Sequence, residues 1–241
     1  AWYHEYDGGR AWLHPAPGGE QPGHQDRHAR NAQNPDDPED HLGIGVIVLG
    51  VDCEKIVSHV SNFRPVKRIM DVIEVFEKVA RIVPSRLVMV GDGPDRSRAE
   101  AYCRDRRLRD RVFFLGNVPN LEEVVGASDL FLLPSESESF GMAALEAMAS
   151  EVPVIATRTG GLPEVVDEGE SGYLLPIGDI DGMAERAVAI LSDDDLRLRM
   201  GKRAREQAIE RFDVAKVVPQ YRQLYEQVIA GSASTLTSPI R

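Results

Sequence analysis

Residues 134–164 read PSESESFGMAALEAMASEVPVIATRTGGLPE, and the fold turns on this stretch. Phe140 to Ala149 is small and apolar almost all round (Met142, Ala143, Ala144, Leu145, Ala147, Met148), the pattern of a helix buried against a sheet. Val154 to Ala156 is a short strand, and Gly160-Gly161 follow it where a neighbour can approach closely. Glu138 stands just before the helix and Glu146 is the one charge inside it. An unpaired buried charge is prohibitive, so Glu146 is expected to meet hydrogen-bond donors, such as a ligand diol. The first turn after Ser139 exposes unpaired N–H groups and the positive end of the helix dipole, a place for phosphate, and Gly141 keeps it open. Taken singly, each glycine reads as an ordinary turn and Glu138 as a solvated loop carboxylate.

The same alternation extends on both sides. Upstream, Lys55 to Val60 reads as a strand. Ile69, Val72, Ile73, Phe76, Val79, Ala80 and Val83 then share one helical face that Pro84 ends. Arg86 to Val90 is a buried strand, Asp95 to Arg107 a helix with a solvated arginine face, and Arg111 to Leu115 the next strand. Asn120 and Glu123 fit a capping-box variant before Asp129 to Leu133. Downstream come Tyr173 to Leu175 and three helices between Asp179 and Ala230, separated near Ser192 and Phe212. Asp193 to Asp195 reads as a helix start. Strands alternating with helices predict an α/β domain with a parallel sheet of about six strands and helices on both faces. Ligands of such sheets bind beyond the carboxyl ends of the strands, where Asn62, Gly91, Asn117, Ser135 and Thr157 would gather.

Composition bounds the function. The 241 residues are 42% hydrophobic and 28% charged, ordinary for a globular protein, and the formal net charge of −11 argues against a nucleic-acid surface. An anionic ligand would need a local basic pocket. Cys53 and Cys103 form no CxxC and suit a reducing compartment, so neither is a catalytic candidate. The longest apolar run, Ile44 to Val51, is far short of the roughly 20 residues that span a bilayer, and no signal peptide is legible. The expected location is the cytoplasm.

Residues 1–41 hold one large aliphatic residue, Leu13, with five prolines and five glycines. The segment 1–43 is therefore expected to be disordered, 44–230 to be the folded domain and 231–241 a frayed tail. Five of the six histidines (His4, His14, His24, His28, His41) lie in that first segment and read as a solvated tract rather than a metal site.

The E-x7-E spacing of Glu138 and Glu146, embedded in PSESESFG, LEAMA, PVIAT and GGLPE, resembles the donor-site signature of the family 4 retaining glycosyltransferases. The resemblance covers about residues 55–230. It implies a Rossmann-like domain, the C-terminal half of a GT-B fold, whose last helix, Val217 to Ile229, carries apolar surface for a partner domain. It also implies roles for single residues. Glu146 would bind the nucleotide ribose and Glu138 would lie near the sugar, with Ser139, Phe140, Gly141 and Met142 around the phosphate and sugar hydroxyls. Within Ser61-Asn62-Phe63-Arg64-Pro65-Val66-Lys67-Arg68, Lys67 matches the lysine that grips the donor diphosphate. The family's arginine falls on Asn62, leaving its role to Arg64 or Arg68. Fixed cations suit this chemistry because the diphosphate gains charge as the glycosidic bond breaks.

The family's chemistry implies no protein nucleophile, no metal and no other cofactor, and no DxD motif serves a nucleotide here. The SNF-R-x-VKR wording is similar to the malate-accepting branch of bacillithiol biosynthesis, which implies UDP-N-acetylglucosamine as donor and L-malate as acceptor. An acceptor that is a lipid or polysaccharide is the alternative within the family. Outside it, a dinucleotide-dependent oxidoreductase should show G-x-G-x-x-G after its first strand, and that fingerprint is absent. A non-catalytic nucleotide-sugar-binding fragment remains open, because nothing in residues 1–54 matches the glycine-rich loop and histidine of the family's N-terminal domain. The chain alone is thus expected to lack turnover and to self-associate through the faces left uncovered.

Overall fold

The computed structural model describes residues 54–229. The proline- and glycine-rich segment 1–43 with its five histidines, the run Ile44 to Val51, Cys53 and the tail 231–241 lie outside the described residues.

Six strands are present: β1 Lys55–Val60, β2 Ser85–Val90, β3 Val112–Gly116, β4 Leu130–Leu133, β5 Val154–Thr157 and β6 Gly172–Leu175. They pair in parallel throughout, in the order β3-β2-β1-β4-β5-β6. All six carboxyl ends therefore share one edge, and the order reverses between β1 and β4, where a ligand crevice opens in sheets of this kind.

The connecting helices are α1 Ile69–Val79, α2 Arg96–Asp105, α3 Leu121–Gly126, α4 Met142–Ala149 and α5 Leu162–Val165, followed by α6 Ile180–Ser192, α7 Asp194–Phe212 and α8 Val214–Ile229. They cover the sheet on both faces. Successive strand residues point to opposite sides, so Leu130 and Leu132 join Val57, Ile73, Phe76 and α6 in one core. Phe131 and Leu133 join Ala144, Met148, Val165 and Ala204 in the other. Strands buried on both faces explain why the sequence shows short continuous apolar runs rather than alternation.

Two helix starts follow the capping signals in the sequence and one does not, and α1 ends at Val79, with residues 80–83 forming a turn before Pro84 rather than a last helical turn. Asp179 accepts from the Gly182 amide at 2.9 Å and Asp193 from the Leu196 amide at 2.9 Å, capping α6 and α7. Asn120 precedes α3 but makes no cap to the backbone; its amide donates instead to the Glu123 side chain at 3.3 Å. The capping box expected there is not formed: the Glu123 amide donates to the Asn120 carbonyl at 3.3 Å, and the Asn120 side chain is engaged with the Glu123 carboxylate instead.

A second correction concerns α4. It opens at Met142 rather than Phe140, after Gly141 turns the chain at φ 97°. It is also two-faced: Ala144, Ala147 and Met148 are buried, while Met142 is 58% exposed and Glu146, one turn on, is exposed with it. A buried Glu146 among alanines is thus not what forms. The exposed stripe was hidden in the sequence because methionine and alanine occupy most of it.

Candidate functional site

The loops after the six strands build the site, and two of them carry its charges. After β1 the chain runs through Ser61 and Asn62 into a single 3-10 turn, Pro65–Lys67. Arg64 is extended before Pro65, as a residue preceding proline prefers, and Arg68 closes the turn in the left-handed region at φ 51°. After β4 the segment Ser135–Ser139 leads to α4. A backbone bond ties the two loops, the Glu136 amide donating to the Val66 carbonyl at 2.8 Å.

At their junction Lys67 Nζ donates to Glu138 Oε1 at 2.5 Å, and the Ser135 hydroxyl donates to the same oxygen at 2.8 Å. The pair is mostly enclosed, with the Lys67 side chain 20% and the Glu138 side chain 12% exposed. Both bonds end on Oε1, which leaves Oε2 for another donor, and an ammonium has three N–H groups of which this pair uses one.

The loop after β5 holds the Glu138 segment from the other side. Thr157 Oγ1 donates to the Ser135 carbonyl, Thr159 Oγ1 to the Glu136 carbonyl at 3.1 Å and the Gly161 amide to the Glu138 carbonyl at 3.1 Å. Gly160 (φ 53°) must be glycine, because a Cβ there would lie 1.7 Å from the Glu138 carbonyl oxygen. Phe140 stacks edge-on against Phe212 at 5.3 Å, fastening the same loop to the end of α7. Gly91 (φ 115°) is constrained alike on the other flank, where its Cβ would meet the Ser61 carbonyl oxygen at 1.8 Å.

The sequence-predicted residues fall into groups. Lys67 and Glu138 are brought into direct contact, with Ser135 bonded to the same carboxylate, while Gly91 lies against the Ser61 carbonyl. Asn62 and Arg64 are exposed on the same turn, and Arg64 enters no ion pair among the described residues. Arg68 is held by Asp71 at 2.6 Å, which takes it from the list of free cations. Gly141 is buried, Phe140 half-buried, and Ser139 and Met142 exposed at the start of α4. Asn117 is exposed after β3. Glu146 is not part of the Lys67 cluster. Partial burial of its carboxyl group and, next, the Glu122 carboxylate hold it above its ordinary range.

One buried group was missed by sequence reasoning. His59, on β1, is fully buried, its Nδ1 2.8 Å from the Leu132 carbonyl and its Nε2 2.8 Å from the Ser61 hydroxyl. Burial first, then the charge of Lys67, depress its pKa to about 4, so the ring is neutral. A histidine inside the apolar run KIVSHV was the available signal. Cys103 is buried with its thiol pushed up to about 11, in keeping with an inert core residue.

Comparisons with known proteins bear on this arrangement. Residues 49–207 match the family model described as glycosyl transferases group 1. The chain is 46% identical over 178 residues to the N-acetyl-alpha-D-glucosaminyl L-malate synthase of Bacillus anthracis, covering 74% of this chain and 47% of that protein. Among solved structures it is similar to a TarM mutant from S. aureus in complex with fondaparinux, alpha-GlcNAc-glycerol and UDP (TM-score 0.68, 28% identity, 72% of this chain and 36% of that one). It is likewise similar to Anabaena HepE in complex with UDP and glucose (TM-score 0.70, 26% identity, 79% of this chain and 53% of that one). The chain spans about half the length of the curated relatives it matches. Among the described residues no helix is long and apolar enough to cross a membrane.

Proposed function

This chain belongs to the glycosyl transferases of group 1, and we propose that it is the donor-binding half of a retaining, metal-independent transferase acting in the cytoplasm. Its donor is a UDP-sugar, UDP-N-acetylglucosamine by preference, and its acceptor is L-malate. The observation that carries this reading is the Lys67–Glu138 contact at the carboxyl edge of the sheet, beside the point where the strand order reverses. Lys67 keeps two N–H donors for diphosphate oxygens, and Arg64 is free to fold over the same group in place of the arginine that Asn62 replaces. Glu138 Oε2 accepts from a sugar hydroxyl, the start of α4 offers its amides to phosphate, and Glu146 accepts from the ribose diol. Catalysis is then positioning and charge stabilisation of the departing diphosphate. The identity to the malate synthase supports the choice of sugar and acceptor, and the UDP complexes of TarM and HepE support the nucleotide.

A second reading, binding without turnover by the chain as given, is favoured by α8. None of its residues is buried, and Val214, Val218, Tyr221 and Tyr225 (the last 63% exposed) form an uncovered stripe at helical spacing. Such a stripe suits an opposing domain that completes the acceptor side. Titration calorimetry of the 241-residue chain with UDP-N-acetylglucosamine, with and without EDTA, tests the donor assignment. Equal affinity in both conditions is expected; loss of binding on chelation, or a preference for NAD, would contradict it.

A further inference from the structure

We propose that His59 is a positioning residue for the turn Ser61–Lys67, fixing through a directed hydrogen-bond relay the backbone that presents Asn62, Arg64 and Lys67. The proposal rests on the reading that this turn faces the donor diphosphate.

The direction of the relay follows from which atoms can donate. The Leu132 carbonyl only accepts, so the bond at 2.8 Å places the proton on Nδ1 of His59. Nε2 is then a bare acceptor and takes the Ser61 hydroxyl proton at 2.8 Å. The Ser61 oxygen, its proton committed, accepts the Phe63 amide at 3.3 Å. Three bonds thus run in one sense from the end of β4 to the amide of Phe63.

What they hold is an unfavourable conformation. Phe63 is fully buried at φ 40°, a region a bulky side chain occupies only when its surroundings impose it. The His59 ring stacks on the Phe63 ring with centroids 6.3 Å apart, Phe114 meets its edge at 6.3 Å, and the Phe63 carbonyl accepts the Asp95 amide at 3.0 Å. Arg64 follows directly, then the 3-10 turn that ends in Lys67. With Phe63 in this conformation the turn brings Lys67 onto the Glu138 carboxylate; a relaxed Phe63 would shift the turn that carries it. The charged groups that face His59 are Lys67 and Glu138 themselves, and a neutral ring adds no repulsion to Lys67. Unlike Lys67, His59 has both ring nitrogens occupied by protein and none free for a ligand.

The test is calorimetric titration of the full chain with UDP and with uridine, for wild type, Ser61→Ala, Ser61→Thr and His59→Gln. Breaking the relay, which in Ser61→Ala removes both bonds of the Ser61 hydroxyl, is expected to weaken UDP about 3- to 10-fold in Ser61→Ala and His59→Gln while leaving uridine within about 2-fold. Ser61→Thr, which keeps the hydroxyl, should bind UDP as wild type does. Because Ser61 is partly exposed, its alanine variant keeps the test valid if His59→Gln does not fold. A wild type that prefers UDP over uridine, with Ser61→Ala unchanged or losing both ligands equally, overturns the relay alone. A wild type with no preference for UDP over uridine overturns the diphosphate reading and the relay with it. The ¹⁵N shifts of the His59 ring give an independent check: a proton on Nε2 rather than Nδ1 contradicts the relay.

Discussion

Acidification should expose His59 as a source of instability. Its ordinary pKa of 6.5 falls to about 4 in the folded chain, through burial first and the Lys67 charge second, partly offset by the Leu132 carbonyl and the Glu138 carboxylate. Below pH 6.5 the unfolded chain takes up a proton that the folded chain refuses, so the unfolded state binds more protons and stability falls as pH falls. The loss runs from about pH 6.5 down to about 4 and then stops. At 1.36 kcal/mol per unit, the gap between the ordinary value and about 4 corresponds to roughly 3 kcal/mol, and the step from pH 7 to 5 alone to roughly 2 kcal/mol. Full burial means that solvent screening does not reduce it. Urea unfolding of wild type and His59→Gln at pH 7, 6 and 5 isolates the effect, since carboxylates common to both cancel in the difference. The variant starts less stable at pH 7 because its relay is broken, and its deficit should shrink by roughly 2 kcal/mol between pH 7 and 5. A deficit that stays constant, or widens as the pH falls, would refute a neutral buried imidazole.

Other perturbations probe neighbouring parts of the site. Gly160→Ala forces a Cβ to within 1.7 Å of the Glu138 carbonyl at a positive φ; it should lower stability by at least ~1–3 kcal/mol and weaken UDP binding, and unaltered urea unfolding would contradict the close approach. Glu122→Gln should lower the pKa of Glu146, followed by carboxyl NMR, because the Glu122 carboxylate is the second cause raising it; no downward shift would remove Glu122 as a neighbour in charge. On the proposed half-site reading, the chain alone should release no UDP from UDP-N-acetylglucosamine in the presence of L-malate, since aligning two reactants is worth roughly 7–11 kcal/mol of barrier. Fusion to the N-terminal domain of a malate-accepting relative in place of residues 1–54 should restore release. Robust malate-dependent turnover without the fusion would contradict the half-site reading.

The sheet was legible because its inner strands, β4 and β5 above all, are buried on both faces. A segment such as FLLP or PVIAT can be little else when it is short, apolar and bounded by turn residues. Lys55–Val60 was read to the residue, and the breaks near Ser192 and Phe212 fell where the helices α6, α7 and α8 divide. What escaped depends on contacts between distant segments. His59 is bonded to Leu132 across the β1–β4 pair, a neighbour no window along the chain contains. The exposure of Glu146 escaped for a local reason: α4 keeps alanine and methionine on both faces, so composition did not reveal which side meets the sheet. The reassignment of Arg68 to Asp71 is likewise a side-chain choice, one turn apart on a helix start, to which spacing is blind.

On the proposed function, Lys67, set against Glu138, holds the diphosphate of a nucleotide sugar. It is tested most directly by titrating UDP and uridine into wild type and Lys67→Ala and comparing the two ligands within each protein. Wild type should prefer UDP, and Lys67→Ala should lose about 1.5–3 kcal/mol of UDP affinity, the range for a hydrogen bond to a charged group, with uridine nearly unchanged. Equal losses for UDP and uridine, or full UDP affinity without the Lys67 ammonium, would contradict it.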